Sequence, residues 1–335
     1  MVETSVVIIG AGPAGVSCAY ILRQAGVNCS LVDFASFPRD KVCGGGLTPK
    51  AYRLLAELMP DLQYEYRALS KVKFSVYNKR IGEMKLPNEI RIVSRKEFDF
   101  ALLRQYLNAG GEFIQDAFSG FENQPDGRIL VSLKSGDKLL CNYLVGADGA
   151  NSRVRRQILG KYNGNVLCME QRVAGASDAI EGVVSKEYKD GYFYLFPSLG
   201  YDVIGLGYSN LTLKGFRDML AKYGVEETKI MGADISVREV DSGMDNVMLI
   251  GDAGGFANKI SYEGLYYAIA TGRNAAEAII DGRPFKETNR DILRRKWKER
   301  LLFGVYYSGF GRMIARVCAG LPGLVRRFFV SVLEE

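Results

Sequence analysis

The chain has 335 residues, 47% hydrophobic and 24% charged, with a formal net charge of +6. These are proportions of a globular protein with room for two domains, and they exclude disordered and fibrous classes. The absence of histidine excludes histidine triads, histidine metal sites and histidine acid–base catalysis.

The opening "TSVVIIGAGPAGVSCAYILRQAGVNCSLVDF" predicts strand, glycine turn, helix and second strand. Residues 6–9 are a β-branched run suited to a strand buried on both faces. The helix over 14–24 ends before Gly26, a C′ glycine. After it comes "KVCGGG" at 41–46, three glycines behind a lone thiol. Ordering such a run is entropically costly, so it marks backbone that turns oddly or lies flat against something.

Further on, "KVKFSVYNKRIGEMKLP" and "FENQPDGRILVSLKSGDKLLCNYLVGADG" alternate apolar and polar residues around tight turns, as antiparallel hairpins do. Between them "SRKEFDFALLRQYLNAGG" predicts a helix with Ser94 and Glu97 as a capping box and Gly110 as its stop. "GVVSKEYKDGYFYLFPSLGYDVIGLGYS" predicts two or three more strands, and "NVMLIGDAGGFANKISYEGLYYAIATGRNAAEAIIDG" returns to strand, loop and helix. The expected fold class is α/β (α+β overall). A discontinuous nucleotide-type domain of 1–64, 88–160 and 236–285 is interleaved with an antiparallel sheet of 65–87 and 161–235. A helical basic segment, 286–335, follows. Residues 290–335 hold ten Lys/Arg against four Asp/Glu, so all the excess positive charge lies in this tail.

The six cysteines (18, 29, 43, 141, 168, 318) form no C-x-x-C pair. They are expected to be reduced thiols in a cytoplasmic protein, with no metal site. No apolar run approaches the length of a spanning helix, and the N-terminus lacks the basic region of a secretory signal.

Three stretches carry the chemistry. Gly10-Ala-Gly12-Pro13-Ala14-Gly15 follows a strand and opens a helix. Its first glycine makes the turn, its second admits a pyrophosphate and its third packs helix on strand. Asp33, at the end of the next strand with Phe34 after it, stands where a ribose hydroxyl is bound. "LVGADGANSRVRR" ends a strand in Gly-Ala-Asp148-Gly149, with Ser152 and Arg153 opening a helix. "MLIGDAGG" ends another in Gly251-Asp252, and a helix is expected after Ser261, its first turn around "SYEGLYY" holding Gly264 and Leu265. Its free N–H groups and dipole favour negative charge. Glu263 in that turn is expected to be a helix-end acid.

In this order the three resemble the flavoprotein oxidoreductases of the p-hydroxybenzoate hydroxylase fold, with a Rossmann-like FAD-binding domain. That resemblance implies FAD as cofactor, Asp252 at the ribityl chain, Asp148 and Gly149 near the pyrophosphate, and Arg95 as an FAD-contacting arginine. "KVCGGG", with "GYFYLFPSLGYDVIGLG", resembles one branch, the geranylgeranyl reductases, from residue 4 to about 282. Its members use FAD to saturate isolated double bonds of polyprenyl chains. The resemblance implies that Cys43, Gly44 and Gly45 lie at the flavin ring, and that Tyr192, Tyr194, Phe196 and Pro197 line a hydrocarbon channel. A tyrosine, Tyr194, replaces the family's tryptophan, and the segment from Pro197 to Gly251 is short, which implies a reduced substrate cap.

Hydride transfer to an alkene needs a proton at the other carbon. Cys43, Tyr192, Tyr194 and an ordered water are the candidates, since a thiol near pKa about 8.5 and a phenol near about 10 are protonated at neutral pH. Cys43 as a small buried apolar group and the aromatics as ordinary core stand as alternatives. The electron donor is expected to be NAD(P)H or a ferredoxin-like protein. The tail is expected either at the inner membrane face, touching anionic lipid, or packed as a helical cap. Nucleic-acid binding has no motif in its favour. The rival functions are a flavin monooxygenase of the same fold and a flavin-binding protein without turnover.

Overall fold

The computed structural model describes residues 2–306 apart from 77–78, 161–163, 189, 238 and 245, together with Ser308, Gly323, Arg327 and Val330. The calls made on the rest of the tail lie outside the described residues.

A six-stranded sheet has the order Gly243–Met244, Val247–Leu249, Tyr143–Gly146, Val6–Ile9, Cys29–Asp33, Glu112–Gln115. All neighbours are parallel except the first pair. Val6–Ile9 and Cys29–Asp33 are buried throughout, as the β-branched and apolar runs require. On one face lie the helices Pro13–Gln24, Arg95–Asn108 and Leu265–Asp281. Phe98, Leu102 and Tyr106 of the second are at most 1% exposed, each contributing roughly 2 kcal/mol of burial. A four-stranded sheet, Val2–Glu3, Lys138–Cys141, Ile129–Leu133, Phe118–Asn123, covers the other face.

The third sheet has eight strands: Met231–Ser236, Asn165–Val173, Asp202–Gly207, Tyr192–Pro197, Ile180–Val184, Arg67–Val76, Lys79–Ile92 and Gly46–Leu47. Its last strand is the end of the glycine run, paired with Ile92 and Arg91. The glycine run is therefore stitched into the edge of this sheet.

The expected capping box at Ser94 does not form. Ser94 is the N-cap of Arg95–Asn108, but its hydroxyl makes no cap hydrogen bond. Arg95 in the first turn instead bonds down the helix to Asp99. In the tail, the helix Arg290–Tyr306 packs back onto the protein: Ile292 and Lys296 are buried, and Lys296 donates to the Ala257 carbonyl and to Glu299. Val330 packs against the cluster of Leu69, Val72, Leu86, Ile90, Ile92 and Ile180, beside Phe196. Among the described residues no helix is long and apolar enough to cross a membrane.

Candidate active site

The carboxyl ends of four parallel strands deliver Gly10, Asp33, Asp148 and Asp252 to one crevice, where open α/β sheets bind ligands. Gly10 (φ +109) has no room for a side chain, because a Cβ there would lie 2.3 Å from the Ala147 carbonyl oxygen. At Gly15 a Cβ would lie 1.8 Å from the Gly10 carbonyl oxygen, so the strand–helix turn closes on itself. Gly12 is different: its nearest neighbour is Arg39 Nη2, 3.8 Å from the Cβ position. The turn thus leaves open ground with a guanidinium above it. Pro13 and Ala14 begin the helix below.

Asp33 is buried, and its two carboxylate oxygens accept from the backbone N–H of Ala11 (2.7 Å) and Ala35 (2.9 Å). It holds the glycine turn in place, each oxygen keeping a further lone pair. Phe34, next in chain, is 78% exposed. Asp148 turns one oxygen to the N–H groups of Arg153 and Val154 and so caps the helix Arg153–Leu159 together with Ser152, while its other oxygen is buried without a partner. Burial lifts its carboxyl above the ordinary range. Beside it, a side chain at Gly149 (φ +78) would meet open space.

Arg155 was missing from the expected set, although it stands within "NSRVRR". It is 2% exposed and donates to the carbonyls of Ala150, Asp252 and Ala253 and to Ser236 Oγ. One guanidinium therefore locks both Gly-Asp loops to the large sheet. Gly251 is held by its N–H on Thr271 Oγ1 (2.9 Å). Among the described residues no donor reaches the Asp252 carboxylate, which faces Gly264 at 3.6 Å from the Cβ position there. Burial raises this carboxyl, with Lys41, Arg95, Arg155 and Lys296 opposing.

The glycine run has a reason within the protein. Gly45 (φ +75) immediately precedes the edge strand, where a Cβ would come 2.1 Å from the Val93 carbonyl oxygen, and a Cβ at Gly44 would come 2.8 Å from the Phe196 ring. Cys43 receives the Gly45 N–H on its sulfur at 3.4 Å. Its thiol also reaches the Arg95 side chain; burial opposes the Arg95 charge, but Asp99 and Cys43 more than offset it. Arg39 joins the same Asp99 at 3.5 Å. Past the run, at the start of the helix Pro49–Leu58, Thr48 and Lys50 bind Glu263. This corrects the expected helix-end role of Glu263: its side chain, 7% exposed, joins the start of the helix Pro49–Leu58 to the start of the helix Leu265–Asp281.

Tyr192, Tyr194, Phe196 and Pro197 sit together on the large sheet. Tyr192 donates to the Ser261 carbonyl and stacks on Tyr262 at 5.5 Å. Tyr194, 7% exposed, donates to Glu170 Oε2 at 3.0 Å, and the Cys43 N–H donates to Glu170 Oε1 at 3.0 Å. Burial pushes both phenols up. Glu170, 1% exposed, was also missing from the expected set. The signal was present: "LCMEQ" puts Cys168 and Glu170 on one face of a strand beside "DVIGLG", whose Gly205 and Gly207 open that face.

These contacts bring one sheet's nucleotide crevice against another's aromatic face. A model described as FAD binding domain matches residues 3–182. A menaquinone reductase of Mycolicibacterium smegmatis is 30% identical over 84% of this chain and 77% of its own. A geranylgeranyl diphosphate reductase of Rhodobacter capsulatus is 27% identical over 82% and 74%. The chain belongs to the geranylgeranyl reductase family of FAD-binding proteins. The fold agrees: the geranylgeranyl bacteriochlorophyll reductase-like protein of Thermoplasma acidophilum superposes with TM-score 0.73 at 18% identity, over all of this chain and 92% of that one. As a member of this family the protein is an FAD-dependent oxidoreductase. Its residues fit that cofactor, with open ground above Gly12 and an Asp252 carboxylate that no donor among the described residues reaches.

Proposed function

We propose that this oxidoreductase saturates a carbon–carbon double bond of a hydrophobic, isoprenoid-like substrate, taking electrons from NAD(P)H or a ferredoxin-like donor. The observation that carries this reading is the seating of Cys43–Gly46 against Phe196 and beside Arg95, near the Asp252 carboxylate, which no donor among the described residues reaches. It fits a redox ring between the glycine run and the aromatic strand.

In this reading Gly10, Gly12, Pro13, Ala14 and Gly15, with Arg39, cradle the pyrophosphate, and Asp33 takes the ribose. Phe34 offers its ring to the adenine. Asp252 accepts from the ribityl hydroxyls beside Gly251, Gly264 and Leu265. Asp148, Gly149 and Arg95 hold the surrounding loops. Bound FAD supplies hydride chemistry. Tyr192, Tyr194 and Phe196 exclude water and orient the chain, and the proton comes from this chain's own hydroxyl or thiol groups. The nucleotide strands 1–64, 88–160 and 236–285 serve the cofactor, and 65–87 with 161–235 serve the substrate.

The helix Arg290–Tyr306 exposes Trp297 (63%), Leu301 (54%) and Leu302 (55%) among Arg294, Arg295, Lys298 and Arg300. An aromatic and aliphatic surface studded with cations suits an anionic bilayer, where a prenyl substrate resides.

Anaerobic incubation of the reduced, flavin-loaded protein with geranylgeranyl diphosphate and with menaquinone tests the reading. It expects reoxidised flavin and product two hydrogens heavier. Oxygen-dependent NAD(P)H oxidation with a hydroxylated product would support a monooxygenase instead.

A further inference from the structure

We propose that Glu170 is the proton reserve of this site, supplying through the Tyr194 hydroxyl the proton that completes saturation of the alkene. This rests on the reductase reading above, and it concerns a residue that the motif of the resemblance does not contain.

The geometry begins with sheet register. Glu170 pairs with Gly205, and Gly205 with Tyr194, so three strands place them in one row. A Cβ at Gly205 would lie 2.0 Å from the Tyr194 ring, so the ring lies over this glycine to reach the carboxyl. The carboxyl is spanned between the Tyr194 hydroxyl and the Cys43 N–H, both at 3.0 Å, at the junction of aromatic strand and glycine run. Both partners are neutral donors.

The charged and titratable groups around it come from several elements. Arg95 faces it from its helix but is bound to Asp99, and Arg172 on its own strand is bound to Asp40. The thiols of Cys43 and Cys168 and the phenol of Tyr192 are on the same face, and the charges of Asp234 and Lys41 act on Cys168 in opposite senses. Burial outweighs the two arginines and lifts Glu170 above the ordinary carboxyl range. A buried acid is a costly way to hold a tyrosine if positioning were its whole purpose.

The chemistry balances. Bound FAD would supply the hydride, which forms a C–H bond at one alkene carbon as the π bond breaks. The π electron pair at the other carbon takes the Tyr194 proton, and the O–H bond breaks. The phenolate takes the Glu170 proton, leaving a carboxylate that water reprotonates after the product leaves. While Glu170 is protonated it donates to the phenol oxygen, which frees the phenol hydrogen to turn toward the substrate.

The test compares flavin-loaded wild type, Glu170→Gln, Glu170→Asp and Tyr194→Phe. Infrared difference spectra in light and heavy water should show a protonated carboxyl band at neutral pH in wild type that Tyr194→Phe shifts and Glu170→Gln removes. Single-turnover reoxidation of reduced protein by geranylgeranyl diphosphate should slow about a hundredfold in Glu170→Gln. The alkaline fall of the wild-type rate should vanish in this variant and return in Glu170→Asp, with flavin content unchanged. If Glu170→Gln fails to hold FAD, Tyr194→Phe carries the test, losing the rate but keeping the band. No carboxyl band in wild type, or a Glu170→Gln rate and pH profile matching wild type, overturns the proposal alone. A wild type that saturates no alkene strikes the reductase reading and takes this proposal with it.

Discussion

Single glycines at this site do different jobs, and substitution should separate them. A Cβ at Gly15 meets the Gly10 carbonyl oxygen at 1.8 Å, whereas at Gly12 it meets nothing closer than 3.8 Å. Gly15→Ala should therefore cost about 2 kcal/mol or more of stability, seen as a lower melting temperature with or without flavin. Gly12→Ala should leave stability within about 0.5 kcal/mol yet weaken FAD at least about tenfold, by flavin fluorescence titration. Equal effects of the two would show that Gly12 has a structural role like Gly15. The spacing of the three glycines was readable because the turn is local. Arg155 was not, since its acceptors lie 5 to 98 residues away in the chain.

Among the elements, the two helix starts make a matched pair. Ser152 accepts from the Arg155 N–H at 2.9 Å, while Ser94 makes no cap bond. Ser152→Ala should cost about 1 kcal/mol, and Ser94→Ala less than about half of that; denaturant midpoints would decide. The capping pattern at Ser94 was plain in the sequence, but no cap bond forms there, and the first turn instead carries Arg95 paired with Asp99, fully buried and shared with Arg39. Strand alternation likewise showed which residues share a face, but not which strand lies opposite. Gly205 is unremarked until register sets it between Glu170 and Tyr194.

For the whole molecule, Asp148, Glu170, Asp252 and Glu263 all have carboxyls raised, chiefly by burial. The fold thus binds their protons more tightly than the unfolded chain does. Their contribution to stability is fully present below the ordinary carboxyl value of about 4 and is lost as pH rises through their folded values. The exposed pairs Asp126–Arg128, Asp178–Lys71 and Glu227–Arg217 act in the opposite sense, with screened effect. Melting temperature should fall as pH rises above about 5, with a gentler slope in Glu170→Gln; an unchanged slope in that variant would show that Glu170 does not take part.

The chain's order of residues was enough to reveal the nucleotide crevice, the family resemblance and FAD, because strand, turn and helix there follow within some 30 residues and local geometry leaves few alternatives. It did not reveal that Glu263 is bound by Thr48 and Lys50, that Arg155 joins two loops, or that Cys43 and Tyr194 meet on Glu170. Each joins positions far apart in the chain, and only packing one sheet against the other brings them within hydrogen-bond reach.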